Sequence, residues 1–292
     1  MNKKILIFGI GPLATTVYHL IQEIKEIDVV GFIVDDDYHK EDFFLNLPLY
    51  KLSLVSTENE IITCIGYKCI RNRKNKFEEL KTKGFNFVNI IHPSATISQS
   101  AIIGVNNIIF PQVCIEPNVK IEDNNIIWSQ SLVGHDAKIG SHNYISAKVL
   151  VGGNCNLKNA CFLGNATSMI NDLEIEDETY LVAGSFLFNN TNEHTKYFGN
   201  PARKIAEHKE KGKKNKKNQM MEEFIEKFKD QFIDADEIIV EKDTKFRHID
   251  SYDSLTGMAI ILMIEDEYGV KIEDTEYKKL NTPEEIFNYI NQ

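Results

Sequence analysis

The chain has 292 residues, is 42% hydrophobic and 26% charged, and carries a formal net charge of −10 at neutral pH. No apolar run approaches the roughly 18 residues of a membrane-spanning helix, so an integral helical membrane protein is excluded. The acidity is local: residues 219–292 hold 19 Asp+Glu against 8 Lys+Arg, or −11, which leaves +1 for residues 1–218.

The N-terminus, MNKKILIFGIG, lacks a small-residue cleavage site and reads as a buried first strand, Lys3 to Phe8, which suggests a cytoplasmic protein. A turn follows at Gly9-Ile10-Gly11-Pro12-Leu13-Ala14, then an amphipathic helix from Thr15 to Glu26. A second strand, Val29 to Val34, ends in Asp35-Asp36-Asp37, and a third, Ile61 to Ile65, runs into Gly66 and a basic helix from Arg71 to Lys83. This alternation predicts a small α/β unit with a parallel sheet over residues 1–91. Glycines at the first turn let backbone approach a phosphate at a helix N-terminus, and an acid closing the next strand suits a ribose or base. A complete dinucleotide site needs two such halves, so Gly9, Gly11 and Asp35-Asp36 point to a mononucleotide, or to a unit that only packs.

From Ile97 to Leu181 an aliphatic residue or methionine recurs every six residues without a break, through Ile103, Ile109, Ile115, Ile121, Ile127, Val133, Ile139, Ile145, Val151, Leu157, Leu163, Met169 and Ile175. In a chain 42% hydrophobic, chance produces this on the order of once in several hundred thousand trials. Four positions after each comes a smaller residue, among them Ala101, Asn107, Ser131, Ala137, Cys155, Cys161 and Thr167. A six-residue period with large and small inward positions alternating predicts a triangular prism of stacked coils, a left-handed parallel β-helix over residues 92–205. Cys155 and Cys161 fall on inward positions, and none of the five cysteines has metal-ligand spacing, so reduced structural thiols and no metal are expected. By this register His135, in Val133-Gly134-His135-Asp136, lies outside the stacked core. A histidine there can take a proton near neutral pH, with Asp136 raising its basicity or fixing its tautomer.

Residues 206–218, AEHKEKGKKNKKN, read as a solvated linker, and the lack of interleaved aromatics speaks against nucleic-acid binding. Helical periodicity returns from Met220, in Phe224, Phe228, Phe232, Leu255, Ile261 and Ile286, which predicts a small all-α four-helix bundle over 219–292.

Two resemblances follow. Asp250-Ser251-Tyr252-Asp253-Ser254-Leu255, the acidic Glu265-Asp266-Glu267 and Leu280-Asn281-Thr282-Pro283 resemble an acyl carrier protein, with Tyr252 where glycine is commonest. Taken alone, Asp253-Ser254 is also a good helix cap. The resemblance implies 4'-phosphopantetheine on Ser254, a phosphopantetheinyl transferase and an acyl-loading enzyme as partners.

Residues 1 to about 205 resemble the sialic acid O-acetyltransferase family of hexapeptide sugar acyltransferases, through the Gly-rich turn, paired acids, His-acid pair and the tail Gly199-Asn200-Pro201-Ala202. That likeness implies a Rossmann-like unit binding a nucleotide-linked amino sugar through Gly9, Gly11, Pro12, Leu13, Asp35, Asp36 and Gly66. It further implies His135 as general base, Gly153 as an oxyanion donor, and donor contacts at Asn165, Ala183 and Tyr144, the last standing where bacillosamine-pathway members have histidine. A homotrimer with His135 facing a neighbour is expected. The resulting expectation is a sugar N-acyltransferase fed by its own carrier or by acyl-CoA. The rivals are an acetyl-CoA-dependent O- or N-acetyltransferase whose carrier serves another enzyme, and a non-catalytic trimeric scaffold.

Overall fold

A computed structural model describes residues 2–66, 70–207, 216–235 and 238–291. The chain divides into two compact units, residues 1–210 and 211–292. The division falls inside the lysine-rich segment, of which residues 208–215 lie outside the described residues, as does Cys69.

In the first unit, β1 (Lys3–Phe8), β2 (Ile27–Val34), β3 (Phe43–Phe44), β4 (Leu47–Lys51), β5 (Glu60–Thr63) and β6 (Asn86–Phe87) form one sheet in the order β3-β4-β2-β1-β5-β6. All neighbours are parallel except the β3–β4 hairpin, which composition did not announce. Alternate residues of β1 face opposite sides, and both sides are dry. Ile5 and Ile7 pack with Leu13, Val17 and Ile21 of α1 (Pro12–Ile21), and Leu6 and Phe8 with Leu80 of α2 (Ile70–Thr82) and with Phe85. Helix α1 starts three residues before the expected Thr15, because Pro12 presets the first helical dihedral behind the Gly11 cap. It stops at Ile21, short of Glu26, where the chain closes in i→i+3 turns through Ile24.

From Ile90 to Leu187 two-residue strands alternate around three parallel sheets, consistent with the expected left-handed β-helix. The first face holds Ile108–Ile109, Ile126–Ile127, Tyr144–Ile145, Phe162–Leu163 and Tyr180–Leu181. The second holds Cys114–Ile115, Leu132–Val133, Leu150–Val151, Ser168–Met169 and Phe186–Leu187. The third holds Lys120–Ile121, Lys138–Ile139, Asn156–Leu157 and Glu174–Ile175. Each coil takes eighteen residues, so Val133 pairs with Val151 one coil on. The hexad residues from Ile109 to Leu181 are at most 2% exposed, and Ile97 and Ile103 pack against them half-buried at the open end. At the corners one residue per hexad has positive φ, including Asn118, Gln130, Asp136, Asn154 and Asp172. Asn and Asp tolerate that conformation best among residues with a Cβ. A hairpin of Thr195–Gly199 and Ala202–Glu207 closes the prism, so the chain expected to begin a linker at residue 206 is strand to Glu207.

The α/β unit packs on the first face through Ile90, Ile108, Phe110, Ile126 and Tyr144. A buried polar seam accompanies this contact. Asn106 accepts the Thr63 amide at 2.8 Å and donates to Asn124 at 2.8 Å, and Asn124 donates to His142 Nδ1 at 2.9 Å. Fully buried Arg73 donates to the carbonyls of Asn124 and Asn143.

The second unit contains α3 (Lys216–Lys229), α4 (Ser254–Tyr268), α5 (Asp274–Tyr277) and α6 (Pro283–Ile290) around Phe224, Phe228, Phe246, Ile260, Ile264, Ile286 and Phe287. Helix α3 thus begins at Lys216, within the segment expected to be linker.

Candidate functional site

His135 sits at the corner between the second and third faces of the prism, exposed as its register required. Its Nδ1 is 2.9 Å from Asp136 Oδ2, which makes Nδ1 the protonated nitrogen and leaves the Nε2 lone pair free. Asp136 reaches back because it occupies the positive-φ corner position, and Asn118, one coil below, donates to its other oxygen at 3.0 Å. These bonds hold the Asp136 carboxyl below the usual range, while the Asp136 contact lifts the His135 imidazole above its own. Glu116 accepts the His135 backbone amide at 2.8 Å. Glu116 and Asn118 were missed in the sequence, although stacking by eighteen or nineteen residues from His135 and Asp136 was a signal that could have found them.

Gly153 lies one coil above His135. A Cβ built there would stand 2.7 Å from His135 Nε2, so the missing side chain is what leaves the basic nitrogen accessible. The Gly153 amide, expected as an oxyanion donor, donates to Asn171 Oδ1 at 2.9 Å within the ladder. Gly134 and Gly152 flatten the same corner, since a Cβ on either would meet backbone of the next coil at 2.5–2.6 Å.

Tyr144, Asn165 and Ala183 come together. They line one depression of about 430 Å3 with Trp128, Ser146, Ala147, Phe162, Gly164, Tyr180 and Val182. Asn165 and Ala183 stand at the corner between the first and second faces, so within one chain the second face separates them from His135.

At the carboxyl ends of β1 and β2, Gly9 and Asp35 share a cleft of about 340 Å3 with Phe8, Ile10, Val34, Tyr38 and Lys40. Gly9 has φ +115° and its would-be Cβ is 3.0 Å from the Cys64 carbonyl oxygen, a conformation and spacing that suit glycine alone. Gly11 and Gly66 face open space. The Leu13 side chain belongs to the core, so only its backbone can meet a ligand, and Pro12 has no N–H to offer. Asp35 pairs with Lys76 at 2.8 Å. Asp36 accepts the Ser53 amide at 3.1 Å; the Ser53 side chain and then this amide lower its carboxyl, which lines a second cleft of about 650 Å3 with Asp37, Thr57 and Lys83.

In the helical unit Ser254 is exposed as the first residue of α4, and Asp253 caps that helix by accepting the amides of Leu255 at 2.9 Å and Thr256 at 2.8 Å. The capping and attachment readings of Asp-Ser are therefore compatible: Asp253 is the cap, and the Ser254 hydroxyl is left outside, where a phosphodiester-linked arm fits. Tyr252 replaces the usual glycine without crowding because its hydroxyl fills the place of a side chain on Gly257, 2.9 Å from the Cβ position. Arg247 donates to that hydroxyl at 2.7 Å and lies over the rings of Phe246, Tyr252 and Tyr277. Sequence reading did not anticipate this network, since nothing in the spacing of 247, 252, 257 and 277 marks it.

Comparison with known proteins agrees with this division. Residues 87–189 match the family model described as the GMPPB C-terminal domain, and residues 227–290 match the phosphopantetheine attachment site. The acetyltransferase domain of PglB from Neisseria gonorrhoeae FA1090 is similar with a TM-score of 0.62 at 21% identity, over 70% of this chain and 100% of that one. PerB from Caulobacter crescentus, solved in complex with CoA and GDP-perosamine, is similar with a TM-score of 0.56 at 24% identity, over 70% of this chain and 97% of that one. By fold, the body of this chain is similar to these two solved structures, and its C-terminal unit carries the match to the phosphopantetheine attachment site.

Proposed function

We propose that the protein is a sugar N-acyltransferase that moves an acyl group from a phosphopantetheine thioester, on its own carrier or on CoA, to the amine of a nucleotide-linked amino sugar. The observation that carries the proposal is the exposed His135, with Nδ1 tied to Asp136 and Nε2 open beneath Gly153. The prosthetic group on Ser254 would supply a thiol able to hold an acyl chain as a thioester. His135 Nε2 takes the proton the amine loses as its nitrogen bonds to the acyl carbonyl carbon; the carbon–sulfur bond then breaks and His135 returns the proton to the leaving thiolate. Asp136 keeps the imidazole in the tautomer this requires and stabilises its charged form.

The cleft of Gly9 and Asp35 is the proposed nucleotide seat, with Asp36 and Gly66 beside it and backbone from Gly11 to Leu13. Donor contacts are assigned to the depression of Tyr144, Asn165 and Ala183. Its separation from His135 supports a homotrimer in which one subunit's His135 corner meets another's donor groove. On or beside the second face, Leu150 at 43%, Ile170 at 43% and Phe188 at 41% stand exposed. Among the described residues no helix is long and apolar enough to cross a membrane.

The test uses the full chain after treatment with a phosphopantetheinyl transferase. Intact mass should rise in the wild type and stay unchanged in Ser254→Ala. Offered acyl-carrier or acyl-CoA donors and UDP- or GDP-linked amino sugars, the wild type should yield N-acylated sugar. His135→Ala should lose at least about 100-fold in rate, the usual worth of a positioned base; full activity in that variant would refute the mechanism.

A further inference from the structure

The helical unit is polar at the point where its attachment helix meets the core. Gly257 is buried in the first turn of α4, so that turn joins the exposed Ser254 to the interior. At Gly257 the interior is occupied. The Tyr252 hydroxyl stands 2.9 Å, and a Tyr277 ring carbon 3.7 Å, from the position its Cβ would take. Arg247 holds both tyrosines: it donates to the Tyr252 hydroxyl at 2.7 Å, to the Tyr277 carbonyl at 2.8 Å and to the Leu280 carbonyl at 3.3 Å. Its guanidinium carbon lies 5.0, 5.5 and 4.9 Å from the ring centres of Phe246, Tyr252 and Tyr277.

Three segments thus meet at one cation: the turn of residues 246–248, the loop before α4, and the chain from α5 to Leu280. Behind it the aromatic core continues without a break. Phe246 packs on Phe228 at 5.1 Å, Phe228 on Phe224 at 5.9 Å and Phe224 on Phe287 at 5.6 Å, the spacings of rings in contact.

A group tethered to Ser254 can rest in the bundle interior or on its surface. To enter beside α4 it must lift Tyr252 off Gly257, which breaks the Arg247 bond and sets a guanidinium against hydrocarbon. The charge-assisted hydrogen bond and ring faces that now satisfy this cation have no substitute in an alkyl chain. An interior lined by aliphatic side chains alone would part at smaller cost, since it would lose no hydrogen bond.

Resting on the reading of Ser254 as the attachment site, we propose that Arg247 and Tyr252 close the bundle to whatever Ser254 carries, so that the carried group stays at the surface whatever its length. The helical unit then does not choose among acyl chains by burying them.

The full-length protein is loaded on Ser254 by a phosphopantetheinyl transferase, from acetyl-CoA or from octanoyl-CoA, and loading is confirmed by intact mass. Amide hydrogen exchange is then followed by mass spectrometry over residues 254–280. Each methylene buried in the folded unit would slow exchange through global opening about threefold to fourfold, and octanoyl has six more than acetyl. The expected result is that the two loaded forms exchange within about threefold of one another, less than the worth of one buried methylene. Slower exchange of the octanoyl form beyond that limit would overturn the proposal. Tyr252→Gly, which empties the place beside Gly257, should bring the dependence on chain length back; Arg247→Met, which replaces the cation by a flexible apolar chain, is read in the same way. Absence of the dependence from both variants would take the closure away from these residues and overturn the proposal as well. The wild-type comparison stands without either variant. A wild type that accepts no arm from either CoA would sink the attachment reading and this proposal together, whereas a loaded chain that becomes buried sinks the closure alone.

Discussion

Gly153→Ala isolates the geometry of the proposed base from the stability of the prism. The backbone at Gly153 does not need positive φ, so alanine brings no dihedral strain, and the first atoms its Cβ meets are His135 Nε2 at 2.7 Å, Cε1 at 2.9 Å and Cδ2 at 3.1 Å. Ordinary contact begins at 3.4 Å, so the ring must retreat by about 0.7 Å or swing away. Its side chain is 56% exposed and free to do so, which keeps the thermal midpoint near that of the wild type. The 2.9 Å bond to Asp136 cannot survive a swing unchanged, and a displacement approaching 1 Å at a reacting group costs on the order of 100-fold in rate. The expected outcome is a loss of about 100-fold in kcat, little change in KM for the sugar, and a His135 pKa, read by NMR, that moves down towards that of free imidazole. A variant within twofold of wild-type kcat, with its His135 titration unchanged, would refute the argument that Gly153 acts by leaving room for Nε2.

Three further outcomes follow from the same contacts. Because the Asp136 bond raises the His135 pKa, protonation disables the base below a pH higher than the ordinary ~6.5; Asp136→Asn should move the acid limb of the pH–rate profile to lower pH, and an unmoved limb would show that another group titrates. His142 runs the opposite way. Burial and the nearby Arg73, Lys74 and Lys81 push it down to about 4, against Asp123 and with Glu78 at 3.3 Å, so its contribution to stability is present above pH ~6.5 and lost as pH falls towards 4. Urea midpoints at pH 7 and pH 5 should differ by less in His142→Gln than in wild type, where this group accounts for a loss of about 2 kcal/mol between those two pH values; equal differences would rule out His142 as the cause. Finally, burial raises the thiols of Cys64, Cys155 and Cys161, whereas Cys114 is only half-buried, so a thiol reagent should label Cys114 before those three in the native chain. Labelling of Cys155 as fast as Cys114 would contradict the inward register of the repeat.

Much of this molecule was legible in one dimension. A six-residue period repeats one backbone geometry, so register alone placed Val133 and Cys161 inside and His135 outside, as the burial shows. The spacing around Ser254 was equally local, a matter of one cap and the first turn of one helix. What stayed hidden depends on neighbours eighteen residues away or in another layer. Only stacking shows that Asn171 takes the Gly153 amide, that Glu116 and Asn118 brace the His-Asp pair, and that Gly257 makes room for Tyr252. Only the three-sided winding puts Tyr144, Asn165 and Ala183 in one groove while leaving His135 a face away. Local backbone preference decides which residues point inward; which of the others meet is decided by the coil above, the coil below and the layer packed against them.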